Sequence, residues 1–310
     1  MRIGITGASG FLGSWLCHFL SKKHDVFAYV RSNSDLSRLR GQGSFQIKSF
    51  NPLSSPIFDK DKLETLLMLD WEGVQNNYRD LNSQFNNVER QNLIINNASR
   101  AGIKTIIGFG SHAELGTLNS LATEKSSDKP TTQYGKAKVS SRMQLIKECS
   151  KKDMNWFWCR IFSTYGPRDS KSWLIPGMIN SIARDKPFLL TMCQQEWSFL
   201  HVWDFYTAIS RILHVKPNQI INVGNPETVK ISDVVKIIGE LTGRKDLLKI
   251  GAIPYRSDQV MFLKPECTIL KDLGWSPDVD LMSGITHMID SDKSKSEIFL
   301  SLKNNSKVLI

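Results

Sequence analysis

Apolar residues arrive in short runs along the first half of the chain, and amphipathic stretches separate most of them. RIGIT (2–6), DVFAYV (25–30), SFQIKSF (44–50), TLLML (65–69), KTIIGFG (104–110) and WFWCRIF (156–162) read as strands. Strands that alternate with helices pair in parallel, because a parallel pair needs a crossover long enough to hold a helix. The pattern predicts an α/β fold with a doubly wound parallel sheet and helices on both faces.

After about residue 165 the rhythm changes, and YGPRD, IPG and DKPF cut the chain into shorter pieces around a helix expected at 172–184. Helix, strand and helix return in FYTAISRILH (205–214), QIINVG (219–224) and SDVVKIIGELTG (232–243), the last expected to start on a Ser cap and stop at Gly243. The chain therefore leaves its first domain and comes back to it. This reading assigns 1–165 plus about 200–243 to one domain, about 166–199 plus 244–300 to a smaller mixed α/β domain, and 301–310 to a tail.

The chemistry starts at ITGASGFLGSWL, where Gly7, Gly10 and Gly13 follow the first strand and open a helix. Such a turn lets backbone approach a pyrophosphate closely, and the helix N-terminus favours its charge. The first domain is thus expected to be a dinucleotide-binding Rossmann domain. The second strand ends on Arg31 and Ser32, with Arg38 further on, where a strict NAD site offers an acid to the ribose. That favours a 2'-phosphate, hence NADP(H) over NAD(H).

Downstream, TQYGKAKVSS (132–141) places Tyr134 and Lys138 four residues apart, on one face of an expected helix. A cation near a phenol favours the phenolate and lets the side chain exchange a proton near neutrality. Ser111 closes the fifth strand between these two motifs.

In that order, TGASGFLG, the strand-ending Ser111 and YGKAK resemble the extended short-chain dehydrogenase/reductases, in particular their NAD-dependent epimerase/dehydratase branch. RIFSTYGPRD, INVGNPETVKISDVV and GAIPYRSDQVMF extend the resemblance over nearly the whole chain, most closely to nucleotide-sugar 4-ketoreductases of the CDP-abequose synthase kind. The resemblance implies that Ser111, Tyr134 and Lys138 are catalytic, with Lys138 both holding the nicotinamide ribose and lowering the phenol pKa. It implies cofactor contacts from Gly7, Ser9, Gly10, Phe11, Leu12, Gly13, Arg31, Ser32 and Leu69, and from Tyr134 and Lys138 themselves. Substrate contacts are expected at His112, Ser163, Trp173, Trp197 and Arg256, the last gripping the nucleotide diphosphate. Asn87 is expected to support the lysine, and the resemblance further implies a homodimer.

Dehydratases of this family carry an Asp-Glu pair after the serine, and the GDP-fucose-synthase type a cysteine; this chain has His112 and Ala113. What remains is reduction of a nucleotide-linked 4-keto-6-deoxyhexose or, as the rival, epimerisation with a retained NAD. A non-catalytic dinucleotide sensor is the reading of another class, and a complete Ser-Tyr-Lys set speaks against it. Other positions depart from relatives: Leu115 stands for a tyrosine, MLDW (68–71) for a His-Leu-Ala loop, Trp197 for an arginine and Trp203 for an acid. Trp156, Trp158, His18, Cys17 and His201 are expected to pack.

Composition adds exclusions. A formal charge of +10 is spread along the chain without an aromatic-basic cluster, so nucleic acid is not an expected partner. Five scattered cysteines without a C-x-x-C pair suggest neither disulfides nor zinc. The start of the chain lacks a signal-peptide pattern and no apolar run suits a membrane span, so a cytoplasmic enzyme is expected.

Overall fold

Seven parallel strands form the central sheet, in the order Gln219–Val223, β6 (Asn155–Ile161), β5 (Thr105–Ser111), β4 (Thr65–Met68), β1 (Arg2–Thr6), β2 (Asp25–Val30), β3 (Phe45–Ser49). The computed structural model describes residues 1–41, 43–53, 56–118, 120–256 and 259–293; the expected tail 301–310 and the last residues of the second domain lie outside them.

Side chains alternate across this sheet with period two, and each face is buried under its own helices. Ile3, Ile5, Val26, Ala28, Leu67, Ile107, Phe157 and Cys159 face α1 (Phe11–Leu20) and, later in the chain, the helix Val202–Ile212. Phe27, Tyr29, Leu66, Met68, Ile106 and Trp158 face α2 (Phe85–Arg100) and α3 (Gln133–Lys151). This is the doubly wound Rossmann arrangement. The two faces differ in the room they leave: on β5, Gly108 is glycine because a Cβ would stand 2.7 Å from the Trp158 ring.

A third core holds α4 (Leu174–Ala183), the helix Ile231–Thr242 and the helix Leu281–Lys293 through Ile175, Met178, Val234, Ile238, Ile285 and Met288. Packing therefore places 231–242 beside the smaller layer, while Cys267, Leu270 and Trp275 join the core of the large sheet. Ser232 is not the helix cap expected of it. Lys230 occupies that position, and the first N–H groups are satisfied by backbone carbonyls: Ile231 donates to Gln195 at 2.9 Å and Ser232 to Cys193 at 3.0 Å. Gly243 does end the helix, in the left-handed conformation. Among the described residues no helix is long and apolar enough to cross a membrane, and no cluster of three potential metal ligands occurs.

Candidate active site

The glycine turn has the shape a pyrophosphate requires. Gly7 has φ of +66°, and a Cβ there would fall 2.7 Å from the Asp70 amide. A Cβ on Gly13 would run into the Gly7 carbonyl, so α1 can start this close to β1 only with glycine. Gly10 caps α1 without a side-chain hydrogen bond, and its first turn carries no acid. Ser9, Phe11 and Leu12 lie in this turn, and the Leu69 amide donates to the Thr6 carbonyl at 3.3 Å across from it. Asp70, beside this turn, accepts from the Thr6 hydroxyl at 2.7 Å and lies 3.4 Å from the Arg90 guanidinium; burial pushes its carboxyl up, and both partners act against that. These residues fit a dinucleotide. Arg31 and Ser32 sit exposed at the end of β2, and Arg31 is paired with Glu72.

β5 runs directly into a short turn of 3₁₀ helix, His112–Leu115. Ser111 caps it by accepting the Ala113 amide at 3.2 Å, while Glu114 accepts the Ser111 amide at 2.8 Å. Glu114 is fully buried and also accepts from Trp158 Nε1 at 3.0 Å and from Arg142 at 2.7 Å, with Arg160 at 3.6 Å. Arg142 in turn grips Asp128. Gly110 leaves the space for this, since a Cβ would collide with the Glu114 carboxylate and the Trp158 indole. Trp158 is thus packed, as expected, but its indole nitrogen also holds the turn that carries Ser111.

The Thr132 hydroxyl caps α3 by accepting the Gly135 amide at 3.1 Å, and Tyr134 and Lys138 follow on its buried face. Gly135 rests on the Ala113 carbonyl, which brings the helix start against the Ser111 turn. The Lys138 ammonium donates to the Phe109 carbonyl at 2.7 Å and lies 3.6 Å from the centre of the Trp71 ring. Burial pulls its pKa down to about 7 against the opposing charges of Glu114 and Asp70. Burial pushes the Tyr134 phenol up; the Arg79 guanidinium and a hydrogen bond with Ser111 act against that, and Glu114 acts with it. The Arg79 guanidinium lies 5.0 Å from the Tyr134 ring and the Lys138 ammonium 5.8 Å.

Arg79 and Trp71 come from the segment between β4 and α2, in which only Leu69 was expected at the site. Trp71 Nε1 donates to Gln84 at 2.8 Å, and Gln84 Nε2 donates to the Gly73 carbonyl at 2.7 Å and the Tyr78 carbonyl at 3.0 Å. Asn87 does not support Lys138. Its amide instead pins the same segment, accepting the Glu72 amide at 2.8 Å and donating to the Glu72 carbonyl at 3.1 Å. A cavity of about 430 Å³ lies behind the segment, and Ser111, Tyr134 and Lys138 are not among its walls.

His112, Leu115, Phe162, Phe262 and Lys264 line a crevice beside Ser111. His112 Nδ1 is buried there without a hydrogen-bond partner, and burial, assisted by Arg79, lowers the imidazole to about 3, so the ring is neutral at pH 7. Trp173 caps α4 and faces the Arg79 guanidinium at 5.5 Å. Trp197 is half-buried and donates to the Val260 carbonyl at 2.8 Å, the Ser163 carbonyl accepts the Leu200 amide at 2.8 Å, and Arg256 is exposed. The structure thus brings Ser111, His112, Tyr134, Lys138 and, through Arg79, Trp173 into one neighbourhood. His201 is buried as expected, accepting the Trp203 amide at 3.3 Å.

A parallel sheet with a glycine turn after β1 and Ser, Tyr and Lys at the ends of β5 and α3 is the build of the extended short-chain dehydrogenase/reductases, NAD(P)-dependent oxidoreductases. Residues 3–224 match the NAD dependent epimerase/dehydratase family, and the chain belongs to it. It is 24% identical to CDP-abequose synthase of Yersinia pseudotuberculosis over 269 residues, 84% of this chain and 91% of that one. To CDP-abequose synthase of Salmonella muenchen it is 26% identical over 133 residues, 42% of this chain and under half, 45%, of that relative. The solved structure of MoeE5 in complex with UDP-glucuronic acid and NAD superposes with a TM-score of 0.83 at 21% identity, covering 94% of this chain and 99% of the other.

Proposed function

We propose that this enzyme reduces the keto group of a nucleotide-linked 4-keto-6-deoxyhexose. The observation that carries the reading is the turn after β5. Where a dehydratase keeps an acid-base pair there, this chain has His112, neutral by burial, and Ala113. Glu114, one position on, has its carboxylate buried between Arg142, Trp158 and the Ser111 amide, so it is not at the substrate's disposal. Ser111 and Tyr134 are left, a set that suits one hydride and one proton.

A nicotinamide dinucleotide bound at the glycine turn would supply the hydride. Tyr134 donates the proton to the reacting sugar oxygen, Ser111 hydrogen-bonds the same oxygen, and Lys138 would hold the ribose of a bound cofactor. His112 offers the sugar a neutral hydrogen-bonding group. Arg31 at the end of β2 supports NADP(H), since a guanidinium matches a phosphate. Apolar Phe85, Leu93 and Met143, exposed on α2 and α3, support a homodimer through those helices. Surface-polysaccharide deoxysugar synthesis is the destination that the abequose-synthase likeness supports.

The test is to purify the protein without added cofactor, denature it and identify any dinucleotide released. Protein that is empty, binds NADPH more tightly than NADH and oxidises NADPH with 4-keto sugar nucleotides is the expected result. Near-stoichiometric NAD+ would overturn it in favour of an epimerase.

A further inference from the structure

We propose that Arg79 is a positioning residue of the active centre, its guanidinium held over the Tyr134 ring to supply the fixed positive charge for proton exchange at the phenol. The proposal rests on the reading of Tyr134 as the proton donor and adds to it a residue from outside the Ser-Tyr-Lys set.

Three observations carry it. The guanidinium lies 5.0 Å from the Tyr134 ring and 5.5 Å from the Trp173 ring, between two aromatic walls. A cation over a ring gains as the ring gains negative charge, so it favours phenolate over phenol. The position is also built. Arg79 Nε donates to the Val74 carbonyl at 3.1 Å, and the Arg79 carbonyl accepts the Tyr134 amide at 2.7 Å, which joins the segment to the first turn of α3. Finally, Lys138 is a poor source of the same charge. Its ammonium is 5.8 Å from the Tyr134 ring, directed at the Phe109 carbonyl and covered by Trp71, and burial leaves it only partly charged near neutrality. A guanidinium keeps its charge throughout that range.

The groups facing Tyr134 come from three elements. Ser111 and Glu114 face it from the turn after β5, Lys138 from its own helix and Arg79 from the segment before α2, while His112 in the same turn is neutral. Glu114 opposes the phenolate, so Arg79 also offsets a buried carboxylate that the turn needs for its own geometry.

The test reads the phenol directly. Tyrosines of the full-length chain are replaced by fluorotyrosine, whose more acidic phenol titrates at lower pH, and the residue 134 fluorine resonance is assigned with Tyr134→Phe. Arg79→Gln and Arg79→Met, two neutral variants so that misfolding of one does not decide the matter, should raise the titration midpoint by roughly one unit. Arg79→Lys should hold it near the wild-type value. With a sugar-nucleotide substrate, the pH profile of kcat should move with the midpoint while KM changes less. An unchanged midpoint in the neutral variants overturns the proposal even if activity falls. The titration needs no substrate, so absence of turnover with 4-keto sugar nucleotides would overturn only the substrate assignment.

Discussion

Lys138 lies beneath Trp71, its ammonium 3.6 Å from the centre of the indole while it donates to the Phe109 carbonyl at 2.7 Å. The cover excludes water from the lysine, and its consequence is a proton that leaves near neutrality. Burial pulls the Lys138 pKa down to about 7, from 10.5 for an ordinary lysine. Between those values the unfolded chain binds a proton that the folded chain has lost, so stability from this group rises with pH. Below them both states are charged and the burial cost is fully present. Urea titrations should therefore show wild type gaining on Lys138→Met as pH is raised from about 7 to about 10. Trp71→Ala, which admits water, should flatten that gain. A constant difference between wild type and Lys138→Met would show that the lysine is not desolvated.

The turn that holds Ser111 hangs on one buried carboxylate. Glu114→Gln keeps the shape and removes the charge that balances Arg142 and Arg160, and breaking a buried pair from one side costs about 3–5 kcal/mol. Denaturation midpoints should fall accordingly, and adding Arg142→Met should recover part of the loss. If the single variant is as stable as wild type, the network is not what fixes the turn.

Tyr134→Phe removes one oxygen from a packed ring. Proton transfer by a positioned side chain contributes roughly 10²–10⁴-fold, so turnover should fall by that much. Dinucleotide binding, measured by calorimetry, should change little, because Lys138 and the glycine turn remain. A sensor protein would show no functional loss.

Arg31 stands at the end of β2, exposed and paired with Glu72. If it meets a 2'-phosphate, Arg31→Ala should weaken NADPH by roughly 10-fold or more while NADH changes little, since charge-assisted phosphate bonds are the strong ones. Fluorescence titration with the two cofactors separates the cases, and equal weakening of both would remove Arg31 from the discrimination.

What the sequence determined by itself was everything governed by short-range rules. Short apolar runs mark the strands, because a parallel sheet covered by helices on both faces buries both sides of each strand. Gly7, Gly10 and Gly13 announce the turn, because the tight approach of α1 to β1 tolerates no Cβ, and Gly243 announces a helix end through its left-handed conformation. Tyr134 and Lys138 share a face because helical geometry makes them do so. The helix expected to open on a Ser232 cap starts at Ile231 instead, because its first amides are met by the carbonyls of Gln195 and Cys193, distant in sequence, which no local cap reveals. Only the tertiary structure decided what surrounds the phenol. Asn87 turned from Lys138 to Glu72, and Glu114, Trp71 and Arg79 entered the site from a turn and an irregular segment. Irregular backbone has no period to read, and its path follows from side-chain hydrogen bonds such as those of Gln84 and Asn87. A buried charge gives no signal in sequence either, because its partners here, Arg142 and Arg160, lie on α3 and β6 and meet Glu114 only when the sheet and its helices are assembled.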